Sequence, residues 1–553
     1  MTTPFNIYPR PQLKRESFIC LNGEWDLAVT QSESIPQKFD EKITVPYVPQ
    51  SRLSGIGRQL AEDDVLFYRR HFDSPDLKDG EKLILHFGAV DTHAEVFLNG
   101  CPVAKHSGGY LPFSADITEH IQNKNELVVK VIDTLDHDYP YGKQRYDRGG
   151  MWYTPISGIW QTVWMEIVPK HFIRSLKTDV SLTEATIIID TDAEVISAEL
   201  IDDEGEIGIK GKTLTVRPRN LKNWFPESPY LYRLKITADS DSIETYFALR
   251  TLEIKTINGT PRMCLNGNPY FFHGLLDQGY FEDGIFLPET PEGFTHDVEA
   301  MKALGFNTLR KHIKIEPECF YYDCDRLGMI VFQDFVNNSD YSFFRDTALP
   351  TVGIKRISDK HLKRTKKAKE IFESHSKATV EHLYNHPSIC LWTVFNEGWG
   401  QFDADRMFAL TKEWDNSRFV DATSGWFSQN DSDLDSLHVY FKKFRMPKSS
   451  SRPVFLSEFG GYSYGVRGHL YDENKSYGYK SFKDLEDFKA AFIELYEEQI
   501  IPNVEKGLCA SIYTQVSDVE EEINGIMTYD RQVIKLTPEE ALPIAEKLKK
   551  AVL

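Results

Sequence analysis

The sequence predicts a multidomain chain of two β-sandwiches followed by a (β/α)8 barrel, and three observations carry that expectation. Residues 1 to about 172 alternate apolar and polar side chains in the strand period and lack helical stretches. A shorter unit, about 173 to 251, repeats the pattern. Beyond about 252, apolar strand candidates alternate with amphipathic helices, the signature of a parallel sheet.

In the first unit, Leu83-Ile84-Leu85-His86-Phe87, Ala94-Glu95-Val96-Phe97-Leu98 and Leu127-Val128-Val129-Lys130-Val131 are strands, and Asn99-Gly100 is a strong hairpin signal. In the second, Thr186-Ile187-Ile188-Ile189, Tyr232-Arg233-Leu234-Lys235-Ile236 and Glu244 to Leu249 suit an immunoglobulin-like sandwich. In the third, residues 252–553, eight apolar runs can be counted near 270–273, 306–310, 329–333, 389–395, 418–422, 436–440, 454–458 and 508–515. Eight is the barrel number. Thr290-Pro291-Glu292 and Thr537-Pro538-Glu539-Glu540 mark helix starts, the second with a capping box through Glu540. Residues 363–385 read as helical, whereas Asn337 to Phe344 reads as a long loop at the catalytic rim.

With 553 residues the chain is long enough for about three to four domains. Its net charge of −19 argues against nucleic acid or an anionic membrane as partner and makes a small, neutral substrate the easier expectation. No basic, apolar leader opens the sequence and no long apolar run interrupts it, so a cytoplasmic protein is expected. The seven scattered cysteines lack metal or disulfide spacing and are expected to be reduced core thiols. No cofactor and no metal is expected.

Two carboxylates carry the chemistry. Glu397 follows the apolar run Ile389 to Phe395, and Glu458 ends Val454-Phe455-Leu456-Ser457. Each stands at the C-terminal end of a buried strand, which in a (β/α)8 barrel is the active-site rim, and such a pair is the minimum equipment for splitting a glycosidic bond. Asn396 can hydrogen-bond a sugar hydroxyl beside the acid. His438 and Tyr440, after strand six, are expected next to Glu458, where a phenol orients a nucleophile. Asp277, Gln278 and Gln515 suit sugar hydroxyls, and His312 is counted with these rim residues.

The segments Leu21-Asn22-Gly23-Glu24-Trp25, Gly158-Ile159-Trp160-Gln161, Pro226-Glu227-Ser228-Pro229-Tyr230, Gly305-Phe306-Asn307-Thr308-Leu309-Arg310, Asn396-Glu397-Gly398 and Ser457-Glu458-Phe459-Gly460 together resemble glycoside hydrolase family 2. That is the family of β-galactosidases, β-glucuronidases and β-mannosidases, and the matching segments run through nearly the whole chain. The resemblance implies a jelly-roll sugar-binding-like sandwich first, Glu397 as acid/base, Glu458 as nucleophile, retention of configuration, Arg310 beneath the nucleophile, and Trp426 in the family's Ser-Gly-Trp. It also leaves a homo-oligomer open, although no segment identifies an interface.

Departures bear on the sugar. Arg310-Lys311-His312-Ile313-Lys314-Ile315 stands where the family commonly has Arg-x-Ser-His-Tyr-Pro, and Leu276-Asp277-Gln278-Gly279 replaces its usual segment after strand one. The Asn-x-Lys that grips the sugar acid in the similar β-glucuronidases has no counterpart at Asn524-Gly525-Ile526. A β-galactosidase is therefore the first expectation, with a β-hexuronidase, its cation drawn from Lys311, Lys314 or Arg531, or a β-mannosidase as alternatives. A non-catalytic carbohydrate-binding protein and a transglycosylase are the competing classes.

Blander readings suit other motifs. His382 and His386 have the spacing of a helical metal pair but lack its glutamate, and Asp431 to Asp435 lacks the glycine and glutamate of a calcium loop. Packing and a solvated turn are expected there.

Overall fold

The computed structural model describes residues 3–354, 357–362 and 364–552, except the side chains of Thr351 and His361. The first unit packs a six-stranded antiparallel sheet against a four-stranded one. Its interior is the inward side of each alternating strand, including Leu83, Leu85, Val96, Leu127 and Val129. At the expected hairpin, His93–Leu98 pairs with Cys101–Ser107, and Asn99 and Gly100 both take positive φ, 51° and 80°, as the tight turn between twisted strands requires. Cys101 is exposed there, so it is not a core thiol, whereas Cys264, Cys324, Cys390 and Cys509 are buried. The second unit is a smaller sandwich of four and three strands, filled by Ile187, Leu214, Leu234, Ile236 and Phe247.

A three-stranded meander over Leu252–Pro269 leads into one eight-stranded parallel sheet. Its strands are β1 (Phe272–Asp277), β2 (Thr308–Lys311), β3 (Ile330–Asp334), β4 (Ile389–Asn396), β5 (Phe419–Ser424), β6 (Asp435–Val439), β7 (Val454–Gly460) and β8 (Leu508–Thr514). The order β5-β4-β3-β2-β1-β8-β7-β6 is a barrel with one seam. Across that seam the Asp433 N–H donates to the Val420 carbonyl at 3.0 Å and side chains add to it: Val420 N donates to Asp433 Oδ2 at 2.9 Å and Ser424 Oγ meets His438 Nε2 at 3.0 Å. Most barrel strands are buried along their whole length, as strands covered on both faces must be.

Helices α1 (Glu292–Ala303), α2 (Glu318–Leu327), α3 (Lys366–Leu383), α4 (Ala404–Trp414), α5 (Leu485–Leu495) and α6 (Pro538–Val552) follow β1, β2, β3, β4, β7 and β8. The links β5–β6 and β6–β7 contain no helix, so the alternation is complete in strands but not in helices. At α6 the Thr537 N–H donates to Glu540 at 2.8 Å, one arm of the expected capping box. The segment expected as a rim loop turns partly helical at Phe343–Ala348. His386 pairs with Asp325 at 2.7 Å and Asp433 with Lys412 at 2.8 Å, both structural engagements. No described helix is long and apolar enough to cross a membrane.

Candidate active site

The barrel ladder delivers the two carboxylates. Glu458 lies in β7, and its register partner on β6 is His438. Glu397 stands one residue past β4 in a tight turn closed by Trp399 N to Asn396 O at 3.0 Å. Both central residues of that turn, Glu397 and Gly398, have positive φ, 54° and 73°. Such a backbone is costly for a glutamate and is found where surrounding structure over-determines it. Gly398 has no alternative, because a Cβ there would lie 2.1 Å from the Phe427 ring.

His438 bridges the pair. Its Nδ1 is 2.8 Å from Glu397 Oε1 and 3.6 Å from Glu458 Oε2. Oxygens of the two carboxylates and the ring nitrogen all lie within 4.8 Å of one another. Carboxylates that approach this closely suit the narrow arrangement, about 5 to 5.5 Å, better than the wide one of roughly 6.5 to 9.5 Å. The same three groups could hold a metal ion, yet Glu458 already accepts from Arg310 Nη1 at 3.1 Å and from the Tyr440 hydroxyl. The sequence placed His438 beside Glu458; its shorter bond is to Glu397.

Beneath the pair, Arg310 is fully buried and spends every donor. It holds Asp334 through two bonds of 3.0 Å, the Ser457 carbonyl and Asn396 Oδ1 at 3.0 Å each, and Glu458. Asn396 thereby turns its amide NH2 away from Arg310. His312 is bonded through Nδ1 to Asp334 at 2.8 Å, and burial lowers its pKa. Glu397 differs in environment: burial raises its carboxyl to about 7, with Lys143, His312 and Arg310 pulling the other way. A carboxyl tuned to that range can give up and take back a proton at neutral pH.

Other expected residues divide. Trp426 donates Nε1–H to the Glu397 carbonyl at 2.9 Å and sets its ring edge-on to His438. Tyr440 stacks on Tyr479 at 3.9 Å. Gln278 and Gln515 pair at 2.8 Å, both buried, and leave Gln278 Oε1 and Gln515 Nε2 without partners among the described residues, one acceptor and one donor whichever way the amides are turned. Asp277 is instead tied to Lys311 at 2.7 Å and to the Gly279 N–H. The alternative cations are engaged as well. Lys311 and Lys314 each bond Glu316, and Arg531 bonds the Tyr529 and Tyr280 carbonyls at 2.7 Å. Burying a charge requires such partners, and with Arg531 also paired to Asp297 at 3.3 Å each of these three charges is already met within the protein.

Sequence reasoning missed Asp334, Glu522 and Lys143. Asp334 ends β3, a position that could have been flagged by the same rim rule as Glu397. Glu522 lies in the loop after β8 and accepts from the Tyr153 hydroxyl and from Asn524 Nδ2 at 2.9 Å. Lys143 comes from the first sandwich, and no local pattern announces it.

Residues 260–542 match the model for the glycosyl hydrolases family 2 TIM barrel domain, and residues 40–160 match the galactose-binding domain-like model of the same family. The chain belongs to glycoside hydrolase family 2. Among curated relatives it is similar to a β-galactosidase of Thermoanaerobacter pseudethanolicus, 26% identical over 494 residues, 81% of this chain and 61% of that protein. It is similar also to a β-glucuronidase of Felis catus, 26% identical over 451 residues, 71% of this chain and 65% of that protein. The chain thus spans about 50 to 65% of the length of these first relatives. A solved β-glucuronidase from an uncultured Clostridium sp. superposes with a TM-score of 0.74 at 20% identity, covering 98% of this chain and 99% of that one. At that identity the likeness shows the shared fold.

Proposed function

We propose that this protein is a retaining exo-β-glycosidase in which Glu458 attacks the anomeric carbon and Glu397 protonates the departing oxygen, then deprotonates the incoming water. The observation that carries the reading is the narrow carboxyl pair, oxygens within 4.8 Å, with the Glu397 carboxyl raised to about 7 and Glu458 bonded to Arg310 and Tyr440. Asn396, fixed by Arg310, would meet the sugar's 2-hydroxyl, and Gln278 with Gln515 would offer one donor and one acceptor to another hydroxyl.

For the sugar we favour a β-hexuronide over the β-galactoside first expected. Relatives from Felis catus, Canis lupus familiaris, Sus scrofa and Streptococcus agalactiae are named β-glucuronidase, and similar solved structures from an uncultured Clostridium sp. and Dictyoglomus thermophilum carry that name too, beside relatives named β-galactosidase. A neutral galactoside is the second reading, favoured by Glu522 and the orphan amides, which suit hydroxyls. A panel of aryl β-glycosides decides between them: higher kcat/KM on the β-glucuronide or β-galacturonide supports the first reading, and higher kcat/KM on the β-galactoside supports the second. No turnover of any aryl glycoside would refute the glycosidase reading.

A further inference from the structure

A buried carboxylate substrate needs a cation, because an unpaired charge out of water is expensive. The barrel's own candidates are engaged, as described for Lys311, Lys314 and Arg531. Lys143 is a further cation that reaches the site. The loop of the first sandwich that carries Lys143 is pinned to the barrel rim: Tyr141 and Gly142 both donate N–H to the Asn337 carbonyl, at 3.0 and 3.4 Å. Gly142 is required at that contact, since a Cβ would lie 2.9 Å from the Ile313 carbonyl and 3.0 Å from the Tyr110 hydroxyl. Tyr153 N–H then donates to the Lys143 carbonyl at 3.0 Å, while the Tyr153 hydroxyl donates to Glu522. Backbone and side chain of one tyrosine therefore fix Lys143 relative to the pocket wall.

We propose that Lys143, delivered by the first sandwich to the barrel mouth, is the specificity-determining cation of this site and binds the carboxylate of a β-linked hexuronic acid. The inference rests on the hexuronidase reading and names the residue that would make it possible without the Asn-x-Lys segment. Among the described residues the Lys143 ammonium makes no ion pair or hydrogen bond; it lies half-buried, 5.5 Å from the centre of the Trp152 ring. The Trp152 ring beside it packs edge-on at 5.2 Å against Trp399, in the turn after Glu397, and its charge acts on Glu397, His312 and Glu522, which stand after β4, after β2 and after β8. Burial raises the Glu522 carboxyl above its ordinary value, with Lys143, Tyr153 and Asn524 pulling the other way. Its position between the acid Glu397 and the β8 loop suits the C5 substituent of a sugar whose anomeric carbon lies over Glu458.

The test compares the full chain with Lys143→Met and Lys143→Arg on an aryl β-glucuronide and on its C6 amide, which keeps the sugar and removes the charge. A charged hydrogen bond lost on truncation should lower the acid-to-amide ratio of kcat/KM by roughly 100-fold in Lys143→Met. Lys143→Arg should retain most of the ratio. With one positive charge gone, the basic limb of the Lys143→Met pH profile should also move to higher pH, which a merely structural residue would not cause. A ratio unmoved by Lys143→Met, in an enzyme that prefers the uronide, overturns the role of Lys143 and leaves the hexuronidase reading standing. A wild-type enzyme that cleaves only neutral glycosides overturns both.

Discussion

Glu397→Gln should erase the basic limb of the pH–rate profile. Burial lifts this carboxyl from 4.5 to about 7, a preference for the neutral acid worth about 3 kcal/mol. The proton needed by the leaving oxygen is therefore present at pH 6 and lost as pH rises through about 7, so kcat/KM on a substrate with a poor leaving group should halve near pH 7 and fall tenfold per unit beyond. Stability follows the same group. Because the native carboxyl binds its proton more tightly than the unfolded chain, the contribution is complete below pH 4.5 and disappears as pH rises through about 7. Asp421, raised to about 7 by burial, has the same sign and keeps part of that slope in the variant. The assay is kcat/KM from pH 5 to 9 for wild type and Glu397→Gln, on a phenyl and a dinitrophenyl glycoside of the cleaved sugar. The variant should keep glycosylation by the dinitrophenyl substrate and lose the phenyl one. An equal loss on both, or an unchanged basic limb in Glu397→Gln, would refute the reasoning.

Arg310→Met should both abolish turnover and lower the melting temperature, since removing a fully buried guanidinium leaves Asp334 and Glu458 uncompensated, a loss of about 3 to 5 kcal/mol; an active, equally stable variant would contradict the network. Tyr440→Phe should reduce kcat more than KM, because its hydroxyl bonds Glu458 itself; a change confined to KM would count against that contact. Exhaustive chelation should leave activity largely intact, since the Glu397, His438 and Glu458 cluster is already hydrogen-bonded within the protein; loss restored by one divalent ion would show that these groups hold a metal.

The architecture was legible where periodicity is local. Strand alternation marked the sandwiches, Asn99-Gly100 marked its hairpin, and the apolar runs ending at Glu397 and Glu458 marked the rim. The helix-free links after β5 and β6 were not legible, because an (β/α)8 expectation supplies helices by rule, whereas here Asp433 and Ser424 stitch the seam with side chains. Within the site, residues that end strands could be found, but their partners could not. The bond from His438 to Glu397 crosses 41 positions and that from Tyr153 to Glu522 crosses 369. Lys143 was hidden for the same reason: it reaches the barrel only because Gly142 permits close approach to Ile313. Conversely, the buried engagements of Lys311, Lys314 and Asp277 are tertiary facts that no spacing reveals.

The central claim, that Glu458 is the nucleophile of a double displacement, is tested most directly by trapping. A 2-deoxy-2-fluoro glycoside of the cleaved sugar with an activated leaving group slows both steps but permits the first, so the glycosyl-enzyme should accumulate and peptide mapping by mass spectrometry should find the label on Glu458. Label on Glu397 or on Glu522, or turnover of the parent substrate with no label on any residue, would contradict the account.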